Sequence, residues 1–243
     1  MYIKATHSTN TLLKELLAKG EWPEGERYLY TGFQTAGRGQ TGNGWESEEG
    51  KNLLCSILLP PRKNLFEMNV LVSVVVHRFL GDEYTIKWPN DIYWQDKKVA
   101  GILIENAIIG NEVKYSIAGI GLNVNQTEWK SDAPNPVSLK QITRINYDLE
   151  ELMYYLMDEF DEDMKMTTDE LWAYYRDHLY RREGFWPFVE REVSTAPTMN
   201  AEKGAEGIFL AKIENVRTNG EIELRDQNGN LRIYHFKQVR YVL

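Results

Sequence analysis

The segment TAGRGQTGNGWESEEGK, Thr35 to Lys51, carries glycines at positions 37, 39, 42, 44 and 50. Glycine at that density excludes a helix or strand interior and marks a long loop, and long loops inside compact domains are commonly functional. Glycines let backbone N–H groups come close to phosphate oxygens, and an exposed arginine can grip such oxygens with two nitrogens. The loop supplies one arginine, Arg38, and one tryptophan, Trp45, whose indole can stack on an adenine ring. Taken alone, the same loop is equally compatible with an unstructured surface segment.

Three familiar nucleotide motifs do not fit. Gly37, Gly39 and Gly42 spell GxGxxG, but in a dinucleotide-binding fold the last glycine opens a helix and an acidic residue follows about 20 positions on. Here NGWESEEGK is a poor helix, and the corresponding position is Arg62. The chain has neither the HRD and DFG of a protein kinase nor a GxxxxGK[ST] phosphate loop. The four histidines (His7, His77, His178, His235) are scattered without metal-ligand spacing, so no metal ligands are assigned. The single cysteine, Cys55, lies in the apolar run NLLCSILL and reads as a buried small side chain, not a nucleophile.

A formal net charge of −8 argues against sequence-independent nucleic-acid binding, which needs clustered Lys and Arg to neutralise phosphates. With so few residues ahead of Ser8, no built-in DNA-binding domain is expected. No run approaches the roughly 18 apolar residues of a membrane span, and MYIKATHSTN lacks the apolar core of a secretory signal. A cytoplasmic location is expected.

The elements that must hold these residues follow from periodicity. Leucines at helical spacing predict a helix over Thr11–Lys19, after Ser8, Thr9 and Asn10 and before Gly20. Strands are expected at Tyr28–Phe33, Asn52–Leu59 and Tyr84–Trp88, with an apolar helix over Phe66–Leu80. Ile92–Trp94 and Val99–Glu105 flank the turn QDKK as a hairpin, and Val113–Val124 is a further strand. Helices over Asp148–Lys165 and Thr168–Arg181 follow. Past about Pro187 the texture becomes short β runs, Gly207–Val216, Glu221–Arg225 and Leu231–Phe236, joined by the turn dipeptides Asn219-Gly220 and Asn228-Gly229. The expected fold class is α/β (α+β), a mixed β-sheet packed with helices over residues 1–187 and a small SH3-like β-barrel over 188–243.

Five segments together resemble the biotin–protein ligase family, in that family's order and with compatible spacing. They are STN (Ser8–Asn10), QTAGRGQTGNGW (Gln34–Trp45), KWPND (Lys87–Asp91), KVAGILIE (Lys98–Glu105) and GIGLNVN (Gly119–Asn125). The resemblance implies a class II synthetase-like catalytic domain of the type without an N-terminal DNA-binding domain. The implied enzyme joins biotin to ATP with Mg²⁺, forming biotinyl-adenylate, and then moves biotin to a lysine of a biotin carboxyl carrier protein. It also admits a homodimer. By match to family positions, Arg38 and Lys98 are the catalytic cations, and Ser8, Thr9, Asn10, Gln34, Gly37, Gly39 and Gln40 join them around biotin. Trp45, Lys87, Asn90 and Asn123 match positions around ATP and the adenylate.

The chemistry agrees with such a set. A carboxylate nucleophile is already ionised at neutral pH and needs no general base, so the difficulty is bringing it to an anionic triphosphate, which cations answer. Ser8 and Thr9 also suit plain helix capping, Lys87 a solvated strand, and Asp91 a bond to its own turn. Gln40 stands where some family members carry a second arginine, which bears on how firmly the adenylate is held. The loop, residues 36 to 50, is expected to fold over bound biotin and exclude water. A lipoate–protein ligase shares the fold and the adenylate chemistry, and a non-catalytic biotin-binding module is the rival from another class.

Overall fold

The computed structural model describes residues 1–40, 43–62, 64–110, 112–191 and 207–243; Gly42 of the loop motif lies outside the described residues. The first half of the chain runs β1 (Tyr2–Ile3), α1 (Thr9–Lys19), β2 (Tyr28–Thr31), β3 (Leu53–Leu59), α2 (Leu65–Leu80), β4 (Thr85–Lys87), β5 (Asp91–Trp94), β6 (Lys97–Ile109) and β7 (Glu112–Leu122). Then come α3 (Leu139–Thr143), α4 (Leu149–Asp163) and α5 (Thr168–Asp177), followed by β8 (Trp186–Glu190), β9 (Ile208–Val216), β10 (Ile222–Asp226), β11 (Leu231–Tyr234) and β12 (Val239–Tyr241).

One seven-stranded sheet has the order β1-β2-β3-β7-β6-β5-β4. It is mixed: β1 runs parallel to β2, and every other neighbouring pair is antiparallel. Side chains alternate across a strand, and β3 shows why both faces are covered. Leu53, Cys55, Ile57 and Leu59 join the main core with the valine-rich face of α2. On the opposite face Leu29 and Ile117 pack with Leu13 of α1. Fully burying each such side chain contributes about 1.5–3 kcal/mol, and truncating Leu71 at the centre of α2 would cost roughly 2–5 kcal/mol.

Local chemistry sets where the helices start and stop. α1 ends at Gly20 in a left-handed turn (φ 69°), which glycine adopts without strain. The Asp148 and Thr167 side chains cap α4 and α5, each accepting backbone N–H bonds from the first turn. Both helices stop short of the expected Lys165 and Arg181, because Met164 and His178 terminate them. The hairpin strand β6 runs well beyond the expected Glu105, and short α3 had no long apolar period to announce it.

The second sheet, order β11-β10-β9-β8-β12, forms the barrel-like unit at the end of the chain. Gly220 (φ 91°) and Gly229 (φ 85°) occupy the two hairpin turns. Strand β8 opens this sheet at Trp186. The two units touch closely: the Trp88 indole donates to the Gly220 carbonyl at 3.0 Å, and a Cβ on Gly220 would collide with Phe66 of α2. Among the described residues no helix is long and apolar enough to cross a membrane.

Candidate active site

Three glycines clear a floor on the α1 face of the large sheet. Gly101 pairs with Gly121 across β6 and β7, and Gly119 faces Leu103. A Cβ on Gly101 would come within 2.8 Å of the Trp45 ring, and one on Gly121 would overlap the indole outright. A Cβ on Gly119 would meet the Asn10 amide oxygen at 2.5 Å. Trp45 therefore lies flat on sheet backbone, and Asn10 reaches into the space beside it. Above this floor is a cavity of about 300 Å³.

The start of α1 forms one wall. Ser8, Thr9 and Asn10 are all buried and line the cavity. Ser8 occupies the N-cap position without a side-chain capping bond. The cap comes from elsewhere, because Gln34 Oε1 accepts from the Thr9 backbone N–H at 2.8 Å and from its hydroxyl at 3.2 Å. Gln34 thus joins the wall with its own acceptor already engaged.

The glycine loop contributes Arg38, Gly39 and Gln40 to the lining. Gly37 stands behind them: its carbonyl accepts the Trp45 N–H at 2.9 Å, and a Cβ there would sit 2.5 Å from the Trp45 carbonyl. Arg38 Nη2 donates to Glu105 at 2.9 Å. Gln40 donates to the Asn90 side-chain oxygen at 3.1 Å, and Asn90 in turn donates to Asn69 at 2.7 Å. The buried Trp45 Nε1 has no hydrogen-bond partner among the described residues. A buried unpaired donor in a ligand cavity is suited to a polar ligand atom.

The third wall is KWPND with the hairpin, whose Trp88–Pro89 peptide is cis. Lys98 pairs with Asp91 at 2.7 Å, and its ammonium lies 5.6 Å from the Trp45 ring. Lys87 donates to the Tyr93 hydroxyl at 3.1 Å and sits over the rings of Tyr93 (4.7 Å) and Tyr241 (5.3 Å). Burial lowers the Lys87 pKa, and the positive charges of Lys98 and Arg181 push the same way against Asp91. Arg38, Lys87 and Lys98 line the same cavity.

Asn123 does not line it. Its amide donates to the carbonyls of Lys98 and Val137, holding the backbone that carries Lys98. Cys55 sits under the floor, where burial pushes its thiol up to about 12, so it stays protonated at neutral pH. His77 is buried between the Tyr174 hydroxyl and the Tyr84 carbonyl. The described residues contain no group of three side chains able to hold a metal. Sequence reasoning missed the barrel's share of the lining, Arg191, Phe236, Val239, Arg240 and Tyr241. The glycine floor was visible in the sequence as Gly101, Gly119 and Gly121, but its purpose needs the pairing of β6 with β7.

Known proteins resemble this chain in sequence and fold. The sequence model of the biotin/lipoate A/B protein ligase family matches residues 2–123. A bifunctional ligase/repressor BirA of Bacillus spizizenii is 30% identical over 96% of this chain and 71% of its own length. A biotin–[acetyl-CoA-carboxylase] ligase of Paracoccus denitrificans is 29% identical over 64% of this chain and 68% of its own. Among solved structures, the biotin protein ligase of Aquifex aeolicus in complex with biotin and ATP superposes with a TM-score of 0.76 at 25% identity, covering 100% of this chain and 98% of that one. With half its length matched by the family's sequence model and a full-length likeness in fold, this chain belongs to the biotin/lipoate A/B protein ligase family.

Proposed function

We propose that this protein is an ATP-dependent biotin–protein ligase whose acceptor is a lysine on a biotin carboxyl carrier protein. The observation that carries the reading is the convergence of Arg38 and Lys98, from two distant segments, on one cavity floored by Trp45. Relatives named as ligases for biotin and acetyl-CoA carboxylase support the choice of acid and acceptor.

In the first step a biotin carboxylate oxygen bonds to the α-phosphorus of ATP and the bond to the β-phosphate oxygen breaks, releasing pyrophosphate. Both reactants are anions, so the residues must supply positive charge where they meet. Arg38 and Lys98 do so from the same cavity lining as Trp45, whose indole offers a stacking surface to adenine. Lys87, held between two tyrosine rings, offers a further positive charge to the phosphates. In the second step the acceptor amine attacks the acyl carbon, AMP leaves, and the amine proton is lost.

Mg²⁺ supplies charge neutralisation on the triphosphate when it is bound. Among the described residues, Asp91 is the cavity's carboxylate, already paired with Lys98. One carboxylate suits an ion that arrives on the nucleotide better than one held in a protein cage.

Exchange of labelled pyrophosphate into ATP, with biotin or lipoate supplied, tests the reading. Exchange with biotin alone supports it. Exchange with lipoate alone would mean a lipoate–protein ligase, and biotin binding without exchange would mean a non-catalytic module.

A further inference from the structure

Glu105 stands just outside the cavity and touches two residues that line it. Residues 101, 103 and 105 of β6 share one face of the sheet, so the Glu105 carboxylate continues the line of the cavity floor. Its Oε2 accepts from Asn10 Nδ2 at 2.8 Å and from Arg38 Nη2 at 2.9 Å, and its Oε1 accepts from Lys14 Nζ at 2.6 Å. The Glu105 side chain is 19% exposed, whereas Arg38 and Lys14 are 45% and 40% exposed. Asn10 is fixed further by the Ser56 hydroxyl, which donates to its Oδ1, in the space that Gly119 leaves.

We propose that Glu105 is a positioning residue: it orders Arg38 of the glycine loop and Asn10 of α1 against each other at the acid-binding end of the cavity. This rests on the ligase reading above. Glu105 does not line the cavity, whereas Arg38 and Asn10, which it holds, both do. Lys14 gives the arrangement its sign. One carboxylate shared by two cations leaves a net charge of +1, so Arg38 is held without being neutralised toward an anionic ligand. Burial alone would raise the Glu105 pKa, but the hydrogen bonds and charges of Lys14, Asn10 and Arg38 hold it below its ordinary value. The carboxylate is therefore ionised at neutral pH.

The alternative is that Glu105 merely stiffens the fold, and a double-mutant cycle separates the two. Biotin affinity is measured by calorimetry for Glu105→Gln in the native background and in Arg38→Ala. Glutamine keeps an acceptor for Asn10 but loses the charge. The expected result is about tenfold weaker biotin binding in the native background, from one lost charged hydrogen bond, and no more than a twofold change when Arg38 is already gone. Equal losses in both backgrounds, or no loss in either, would overturn the proposal.

Should Glu105→Gln fail to fold, Lys14→Met probes the same cluster through an exposed partner. A severalfold loss of biotin affinity restored by Lys14→Arg is expected, and an unchanged affinity or an unrestored loss overturns the proposal. If the native protein neither binds biotin nor exchanges pyrophosphate, the ligase reading itself falls. If it does both and the cycle shows no coupling, only the role of Glu105 falls.

Discussion

Arg38 and Lys98 bring like charges to one cavity by unlike means. Lys98 belongs to a strand whose neighbours on both sides hold it: its N–H bonds to Asn135, its carbonyl accepts from Val137 and Asn123, and its ammonium pairs with Asp91. Arg38 belongs to a loop joined to itself by an isolated bridge to Gly44, and its side chain is 45% exposed. The sheet places a charge before the ligand arrives. The loop holds its charge through a side-chain bond to Glu105. Division of labour of this kind suits a reaction that must admit two substrates and then shield a reactive anhydride from water.

The largest expected effects test that contrast directly. Removing either cation, as Lys98→Ala or Arg38→Ala, should lower the rate of adenylate formation by roughly 10²–10³-fold, the scale of losing one preorganised donor. Lys98→Ala should act mainly on kcat, and Arg38→Ala on both kcat and the KM for biotin. Steady-state pyrophosphate exchange reads both, and an identical pattern for the two variants would erase the distinction between sheet and loop.

Next in size is the floor. Gly121→Ala pushes the indole of Trp45 off the sheet, and loss of aromatic stacking costs about 1–3 kcal/mol. The KM for ATP should rise about tenfold, and adding Trp45→Ala should change little more because both act through one ring. A KM for ATP left unchanged by Gly121→Ala would remove Trp45 from the nucleotide site.

A third effect concerns pH. Burial lowers the Lys87 pKa from its ordinary value of 10.5, so its charge is lost as pH rises through that lowered value. The kcat/KM for ATP should fall with it, earlier than an ordinary lysine would allow. Lys87→Arg keeps its charge and should move the fall to higher pH; identical profiles would exclude Lys87 from phosphate binding. The same shift means the folded chain binds fewer protons than the unfolded one in this window, so stability rises with pH there.

The smallest effect belongs to Gln40. Gln40→Arg adds a cation to the loop, and an exposed charge pair is worth about 0–1 kcal/mol. The half-life of the bound adenylate, followed after removal of free ATP, should lengthen by at most about fivefold.

Local chemistry was legible in the sequence where neighbours in the chain are neighbours in space. The cavity contains Ser8 to Asn10, Arg38 to Gln40, Lys87 and Lys98, each in a short motif whose own element places it. The main strands and helices of the large unit and the hairpin turns at Gly220 and Gly229 followed from periodicity and turn chemistry, whereas β1, whose parallel pairing makes the sheet mixed, did not. What no local pattern carries is contact between distant segments. Tyr241 reaches Lys87 across the two units, and Gln34 caps α1 in place of Ser8. Asn123 shows the converse: its motif is local, but its side chain turns to the backbone behind Lys98 and away from the ligand space. Glu105 ended a recognised motif, yet its bonds to Asn10, Lys14 and Arg38 exist only once β6, α1 and the loop have met.

The measurement closest to the central claim is biotin-dependent exchange of labelled pyrophosphate into ATP by the purified chain and by its Arg38→Ala and Lys98→Ala variants. The account predicts exchange with biotin and not with lipoate, and its collapse in both variants. Exchange that needs no biotin, or that survives undiminished in either variant, would contradict it.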